Sequence, residues 1–111
     1  MLDANNQEKK VSIVIPTMNE VQNIKHVFPY IPEFVDEIIV IDANSTDGTI
    51  EEILKFRKDA KIIREKAPAG KGRALQTGFE HATGDLIVTM DADGSHNPNE
   101  MSRLLEPVLN G

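Results

Sequence analysis

The sequence contains no cysteine, which excludes disulfide bonds and thiolate metal sites in this chain. Any bound metal would then rely on oxygen or histidine ligands, and we expect it to be a hard cation. The sequence also has no apolar run of about 20 residues, the length that a membrane-spanning helix requires. Its start, from Met1 to Lys10, is polar and charged, unlike a secretory signal peptide. We therefore expect a cytoplasmic domain, which in a longer form of the protein could work at the cytoplasmic face of a membrane.

Positive charge is also scarce, because 12 lysine and arginine residues stand against 18 aspartate and glutamate residues, for a net charge of −6. This charge opposes attraction to nucleic-acid phosphates, and no basic stripe with interleaved aromatic residues is present in the sequence. We therefore expect no nucleic-acid partner. An acidic protein can still bind an anionic nucleotide when a divalent cation lies between them, so the charge balance favours a metal-assisted site.

What is present is an alternation of short apolar runs and amphipathic patterns in a chain of 111 residues, which is long enough for one packed core. After a polar tail over residues 1–10, strands are predicted at residues 11–15, 37–42, 61–65 and 86–90. Helices are predicted from Asn19, from the turn at residues 45–48, beyond the loop at residues 67–70 and from Asn97. The third of these has its apolar positions at residues 75, 78, 79 and 82 and should end near Gly84. Pro16 is expected to end the first strand, and Asn19 is expected to cap the first helix. This order predicts an α/β fold with a mostly parallel open sheet and helices on both faces, in a single domain over residues 11–111.

The carboxyl ends of parallel strands share one edge of a sheet, so the segments that follow the strands should meet there. These segments are residues 16–20, 42–45, 66–72 and 91–96. Asp91, Ala92 and Asp93 directly follow the last predicted strand and place two carboxylates at this edge. Asp93 could coordinate Mg²⁺ or Mn²⁺ while the ion bridges two phosphates of a nucleotide, and Asp91 could accept a hydrogen bond from a ribose hydroxyl or hold a metal-bound water. The alternative is a solvated acidic turn that caps the next helix, although Asn97 already supplies such a cap.

Three other classes of site do not fit the residues present. A calcium-binding hand in the acidic turn would need glycine where His96 stands and glutamate where Ser102 stands. A Walker phosphate loop would need glycine at Glu65, and Leu75 breaks the dinucleotide-binding fingerprint. A phosphoacceptor receiver domain would need an acidic pair after the first strand, where residues 16–18 carry no charge.

Single polar residues near the same edge support less specific predictions. Asp42 ends the second strand and could accept hydrogen bonds from a base or a ribose, whereas Asp47 is expected to start a helix. Lys71 and Arg73 follow a glycine loop and either add positive charge to the site or lie in solvent. His96 lies beside the acidic turn, where it could reach a phosphate or the acceptor.

Taken together, four segments resemble the donor-binding half of an inverting family 2 glycosyltransferase of the A-type fold. They are residues 11–20 (VSIVIPTMNE), 41–49 (IDANSTDGT), 70–78 (GKGRALQTG) and 90–98 (MDADGSHNP). The segments occur in the order of the family and cover nearly the whole chain from Val11. The pattern is most similar to the dolichyl- and polyprenyl-phosphate sugar synthases.

This resemblance implies a Rossmann-like nucleotide-diphospho-sugar transferase fold, truncated here, with a nucleoside-diphosphate sugar lying across the carboxyl edge. The residues that it implies at the donor are Pro16, Thr17, Glu20, Asp42, Asn44, Lys71, Arg73, Asp91, Ala92 and Asp93. Asp91 and Asp93 correspond to the DxD pair of the family, which holds Mg²⁺ or Mn²⁺ and the diphosphate. The implied reaction is a single in-line displacement with inversion, onto a lipid-phosphate or saccharide acceptor.

Two departures limit what the resemblance implies. Ala43 follows Asp42 where many members have a second aspartate, so any contact from that carboxylate is missing. The sequence stops at Gly111, where the family continues into an acceptor site and, in many members, a carboxylate base. We therefore expect this chain to hold no catalytic residue and to be inactive alone. The alternative from another class is a non-catalytic α/β interaction domain that forms homo-oligomers through its sheet edge.

Overall fold

The computed structural model describes residues 1–67 and 69–92. Within these residues, four strands alternate with three α-helices. The strands are β1 (Val11–Thr17), β2 (Glu37–Asp42), β3 (Lys61–Arg64) and β4 (Leu86–Thr89). The helices are α1 (Ile24–Val27), which continues into a 3₁₀ turn (Phe28–Tyr30), α2 (Thr49–Phe56) and α3 (Lys71–His81).

The four strands form one parallel sheet in the order β3-β2-β1-β4. Ser12 of β1 lies opposite Glu37 of β2, and the pairing continues to Thr17 opposite Asp42. The chain moves outward from β1 through β2 and β3 and then returns to the other side of β1 with β4. The strand order therefore reverses beside β1, and open α/β sheets bind ligands at the carboxyl ends of the strands at such a reversal. The prediction of a mostly parallel sheet is confirmed.

Helices cover both faces of the sheet, as predicted. Ile13 of β1 belongs to a buried cluster that includes Ile24 of α1 and Ile53 of α2. Its neighbour Val14 points to the opposite face and packs in a second cluster with Ala74 of α3. All five side chains are at most 4% exposed. β1 is therefore buried on both faces, which explains its nearly continuous apolar sequence.

Gly78 brings α3 close to β1. A Cβ atom at Gly78 would lie 2.2 Å from Cγ1 of Val14, far inside van der Waals contact, so a larger residue would push the helix away from the sheet. The buried residues of this helix are Ala74 and Gly78, whereas Phe79, predicted on the same face, is 45% exposed. Small residues thus set the position of α3, which starts with Lys71 at the carboxyl edge.

β1 extends further than predicted, because Pro16 does not end it. The N–H of Met90 donates to the carbonyl of Val14 at 3.2 Å, so the main chain of Val14 faces β4, and Pro16, two residues on, faces the same side. The β1–β4 pairing ends where Val14 lies opposite Thr89, so the missing N–H of Pro16 removes no hydrogen bond from the described ladder. The prediction that the strand stops at Pro16 is wrong, and Thr17 reaches the edge as part of β1.

The first helix is shorter than predicted, and Asn19 does not cap it. α1 begins after Asn23, and Asn19 has a left-handed backbone with a φ of 51°. The N–H of Asn19 instead donates to Oγ of Ser45 at 2.8 Å, and Oδ1 of Asn19 accepts from the N–H of Thr46 at 2.9 Å. Asn19 therefore joins the loops that follow β1 and β2.

The remaining boundaries differ little from the predictions. The second strand has the predicted bounds, and α3 ends at His81, slightly before the predicted end near Gly84. The N-terminal segment, predicted as a tail, folds back so that Leu2 and Glu8 form an isolated antiparallel bridge. The helix predicted from Asn97 lies outside the described residues.

Candidate functional site

A cavity of about 310 Å³ opens at the carboxyl edge of the sheet, at the reversal of strand order. Residues at the end of a strand or directly after one form its walls, together with the first turn of α3. The lining residues are Pro16, Thr17, Met18, Glu20, Ile41, Ala43, Glu65, Gly70, Lys71, Ala74, Asp91 and Ala92. A volume of this order is within the range of small-molecule sites. The predicted convergence of the four segments is confirmed for the residues that the structure describes.

Asp91 and Lys71 form an ion pair in this cavity. Oδ1 of Asp91, the second residue after β4, contacts Nζ of Lys71, the first residue of α3. The Asp91 side chain is 23% exposed and that of Lys71 is 59% exposed, so a ligand can reach both groups. The cavity therefore presents one negative and one positive charge side by side.

The chemistry of Asp91 fits a hard divalent cation, because Mg²⁺ and Mn²⁺ prefer carboxylate oxygens. Among the described residues, no group of three acidic, histidine or cysteine side chains is placed to hold a metal ion. Asp93, the other predicted metal ligand, and His96 lie outside the described residues. The metal site thus remains a prediction, and the structure places Asp91, one of the two predicted ligands, at the cavity.

Asp42 does not line the cavity, although we predicted that it contacts a base or ribose. Its side chain is fully buried. Oδ1 accepts hydrogen bonds from the hydroxyls of Thr17 and Ser45, both at 2.7 Å, and Oδ2 accepts from the N–H of Ser45 at 2.8 Å. Asp42 therefore ties the end of β1 to the loop after β2, and it supports Thr17 at the cavity wall.

Two other predicted donor residues also lie outside the cavity lining. Asn44 is exposed, with a left-handed backbone, and its Oδ1 accepts from Nε of Arg64 at 3.2 Å. Arg73 is exposed on α3. Of the predicted donor residues within the described ranges, the structure brings the following to the cavity: Pro16, Thr17, Glu20, Lys71, Asp91 and Ala92.

Asp47 anchors the start of α2, as predicted. Its Oδ1 accepts from the N–H of Thr49 at 3.0 Å, and its Oδ2 accepts from the N–H of Val21 at 3.2 Å. The hydrogen bond from the Thr49 hydroxyl is the main reason that the pKa of Asp47 lies below its usual value. The same hydroxyl accepts from the N–H of Glu20 at 2.9 Å, which positions Glu20 at the cavity wall.

Glu65 lines the cavity, but the sequence analysis did not predict it as a site residue. There it appeared only as the residue at a position where a Walker phosphate loop needs glycine. It directly follows β3, and its N–H donates to the carbonyl of Asp42 at 2.8 Å. Its Oε1 is buried and has no hydrogen-bond partner in the described part of the chain. The available signal was its position, because an acidic residue directly after a parallel strand lies at the same edge as Asp91.

No described helix is long and apolar enough to cross a membrane. Residues 12–111 match the family model described as Glycosyl transferase family 2. The chain belongs to glycosyl transferase family 2. Dolichol-phosphate mannosyltransferase of Pyrococcus furiosus is 38% identical over 108 residues, and the match covers 92% of this chain and 31% of that protein. The chain thus spans about a third of the length of this curated relative.

Solved structures with nucleotides share the fold. Glucosyl-3-phosphoglycerate synthase from Mycobacterium tuberculosis, in complex with Mn²⁺, UDP and phosphoglyceric acid, has a TM-score of 0.80 and 30% identity, covering 93% of this chain and 40% of that one. A mannosyltransferase from Pyrobaculum calidifontis, in complex with GDP-Man and Mn²⁺, has a TM-score of 0.71 and 30% identity, covering 82% of this chain and 29% of that one. The predicted nucleotide-diphospho-sugar transferase fold is confirmed, and the two relatives hold nucleotides with different bases.

Proposed function

We propose that this chain forms the donor-binding part of a glycosyltransferase and binds a nucleoside-diphosphate sugar together with Mg²⁺ or Mn²⁺. The observation that carries the proposal is the pairing of Asp91 with Lys71 in a cavity at the strand-order reversal. A carboxylate and an ammonium group at this position suit a cation and a diphosphate, respectively. The membership of family 2 supports the same function.

The start of α3 favours the binding of the diphosphate. Gly70 and Lys71 line the cavity, and Gly70 precedes a helix of 11 residues. The N-terminal turn of a helix has unpaired N–H groups and a partial positive charge, which attract phosphate. The ammonium group of Lys71 adds a full charge, which would exchange its contact with Asp91 for a contact with the diphosphate.

Asp91, with Asp93 beyond the described residues, would hold the metal ion through carboxylate oxygens. When bound, the ion would neutralise the charge that develops on the departing nucleoside diphosphate. Mn²⁺ accompanies a nucleotide in both relatives described above, which supports this assignment. Pro16 and Thr17, at the end of β1, would lie beside the nucleoside.

The acceptor that we propose is a lipid phosphate. The Pyrococcus furiosus relative is named for its action on dolichol phosphate, and a phosphate oxygen is already an anion that needs no strong base to attack. The acceptor walls would come from the part of a longer protein that corresponds to the unmatched two thirds of that relative. This chain would supply the donor and the metal.

Calorimetric titration of the chain with GDP and UDP, each with and without Mn²⁺, tests the proposal. We expect heat of binding with at least one diphosphate in Mn²⁺, and about tenfold weaker binding when a chelator removes the ion. The variant Asp59→Asn is a matched control, because Asp59 pairs with Arg57 on the surface and does not line the cavity. It should bind like the parent chain. A lack of heat with both diphosphates in Mn²⁺ would contradict the proposed function.

A further inference from the structure

Asp91 and Glu65 are two cavity carboxylates that come just after strands β4 and β3, and they differ in their hydrogen-bond partners. Asp91 has an ammonium group beside it, whereas Oε1 of Glu65 is buried without a hydrogen-bond partner in the described residues. A buried carboxylate oxygen without a donor is unfavourable, because it has lost its water and gained no partner in exchange. Because Glu65 lines the cavity, a molecule bound there can supply the missing donor.

Several donor groups beside Glu65 in the chain or in the cavity have other partners. Nε of Arg64 donates to Asn44, and its terminal nitrogen donates to the carbonyl of Ser45 at 2.9 Å. Lys71 pairs with Asp91. The N–H of Glu65 itself is bonded to the carbonyl of Asp42. Glu65 lines the cavity, and its Oε1 is left as an acceptor without a donor from the described residues.

The position of Glu65 corresponds to the base end of the donor, an argument that rests on the proposed function. With the diphosphate at the end of β4, the opposite side of the cavity is the end of β3, three strands away. At about 4.8 Å between neighbouring strands, the separation is about 14 Å. A nucleoside diphosphate carries its base at the end remote from the terminal phosphate, so the base would approach β2 and β3.

The other described residues in that region offer a base little to bind. The side chain of Ala43 is a methyl group, and its N–H donates to the carbonyl of Thr17 at 2.9 Å. The hydroxyl of Thr17 already donates to Asp42, which is fully buried, and Oε2 of Glu20 accepts from Asn23 at 3.0 Å. Among the described side chains that line the cavity, Glu65 has the buried carboxylate oxygen without a partner, whereas Asn23 holds the carboxylate of Glu20 through one oxygen.

A carboxylate only accepts hydrogen bonds, so it selects among bases by their donors. Guanine presents two adjacent donors, the ring N1–H and the exocyclic amino group, which match the two oxygens of a carboxylate. Uracil presents one N–H between two carbonyl acceptors, and adenine and cytosine present an amino group beside an acceptor nitrogen. These three bases would each leave a carboxylate oxygen against an acceptor. We infer that Glu65 is the base-reading residue of this site and that it selects guanine nucleotides.

Calorimetric titration of the chain and of its Glu65→Gln variant with GDP, UDP, ADP and CDP in Mn²⁺ tests this inference. We expect the parent chain to bind GDP at least about tenfold more tightly than the other three, because a site built for donors rejects a base that lacks them. Glu65→Gln should lose this preference through a weaker affinity for GDP, with the affinity for UDP within about twofold of the parent. Glu80→Gln, which makes the same change at an exposed position on α3, should retain the preference.

Each contrary outcome has a distinct meaning. Equal affinities of the parent chain for GDP and UDP would overturn the role of Glu65 and leave the proposed function intact. Equal weakening of both nucleotides by Glu65→Gln would indicate a ribose contact and would also overturn base reading. If no diphosphate binds in Mn²⁺, both the inference and the proposed function fail. A denaturation curve of Glu65→Gln that matches the parent would show that changes in affinity do not reflect unfolding.

Discussion

Glu37 and Glu65 are two glutamates at opposite edges of the same sheet, and they differ in their hydrogen-bond partners. Glu37 starts β2 at the amino edge, where it is 5% exposed. It accepts hydrogen bonds from Nζ of Lys61 at 2.5 Å, from Oγ of Ser12 at 2.7 Å and from the N–H of Thr83 at 2.9 Å. Glu65 follows β3 at the carboxyl edge, and its Oε1 has no partner in the described residues. The supply of donors therefore distinguishes a carboxylate that stabilises the fold from one that is open to a ligand.

The surroundings of Glu37 lower its pKa. Burial alone would raise the pKa, but the hydrogen bonds from Lys61, Thr83 and Ser12 outweigh burial and bring it to about 2. These partners lie on β3, before β4 and on β1, so the carboxylate of Glu37 connects all four strands of the sheet. We expect removal of the Glu37 carboxylate to lower the stability of the fold. Removal of a carboxylate at the carboxyl edge should instead weaken ligand binding.

Removal of the Glu37 side chain should have the largest effect. Glu37→Ala leaves the donors of Ser12 and Thr83 without an acceptor, and we expect it to lower the free energy of unfolding by about 3 kcal/mol. Urea denaturation measures this loss. Glu33→Ala, at an exposed position, should change stability by less than about 0.5 kcal/mol. A similar small change for Glu37→Ala would contradict the structural role of the amino-edge carboxylate.

Acid should reduce the contribution of Glu37 to the free energy of unfolding over a defined range of pH. The pKa of Glu37 is about 2 in the folded chain and 4.5 in its ordinary state, so its contribution is complete above pH 4.5 and is lost as the pH falls towards 2. This shift corresponds to a contribution of up to about 3 kcal/mol. Asp47 and Asp59 also have lowered pKa values and add to the acid sensitivity. The stability difference between the parent chain and Glu37→Gln should therefore shrink over this range, and a constant difference would contradict the assignment.

At the carboxyl edge, Asp91→Asn should reduce ligand binding and leave the stability of the fold nearly unchanged, in contrast to Glu37→Ala. We expect it to weaken the binding of a diphosphate in Mn²⁺ by about thirtyfold, or about 2 kcal/mol, because the carboxylate charge is lost. Its stability should change by less than about 0.5 kcal/mol, because Lys71 is 59% exposed and solvent weakens the pair. Calorimetry and urea denaturation of one preparation measure both quantities. A large loss of stability with unchanged binding would reverse the comparison between the edges.

Asp42 allows a test of what decides the role of a carboxylate in this sheet: its hydrogen-bond partners or the edge at which it lies. It lies at the carboxyl edge, yet it is buried and hydrogen-bonded like Glu37. Ser45→Ala removes one of its donors and should lower stability by about 1 kcal/mol. The control Thr46→Ala should have little effect, since Thr46 donates to Asn19 through its backbone N–H. If Ser45→Ala left stability unchanged and weakened nucleotide binding, position would be decisive instead.

The sequence predicted the fold well where local patterns carried the information. Apolar runs and helical spacing indicated the four strands and α3, and the edge that holds Asp91 and Lys71 followed from the parallel order. The errors at Pro16 and Asn19 arose because local rules for proline and for caps take no account of neighbouring strands. Pro16 fits because the β4 pairing has ended, and Asn19 binds a loop that comes 26 residues later.

The sequence by itself determined the family, the alternation of strands and helices, and the presence of acidic residues at the ends of strands, because each of these depends on the local order of residues. The tertiary structure decided which carboxylates are saturated and which line the cavity. That distinction depends on donors that are distant in the chain, such as Ser12 and Thr83, which are 25 and 46 residues from Glu37. For the same reason, the sequence did not show that Asp42 lies outside the cavity lining and that Glu65 lies within it, since only the packed sheet shows which side chains already have donors.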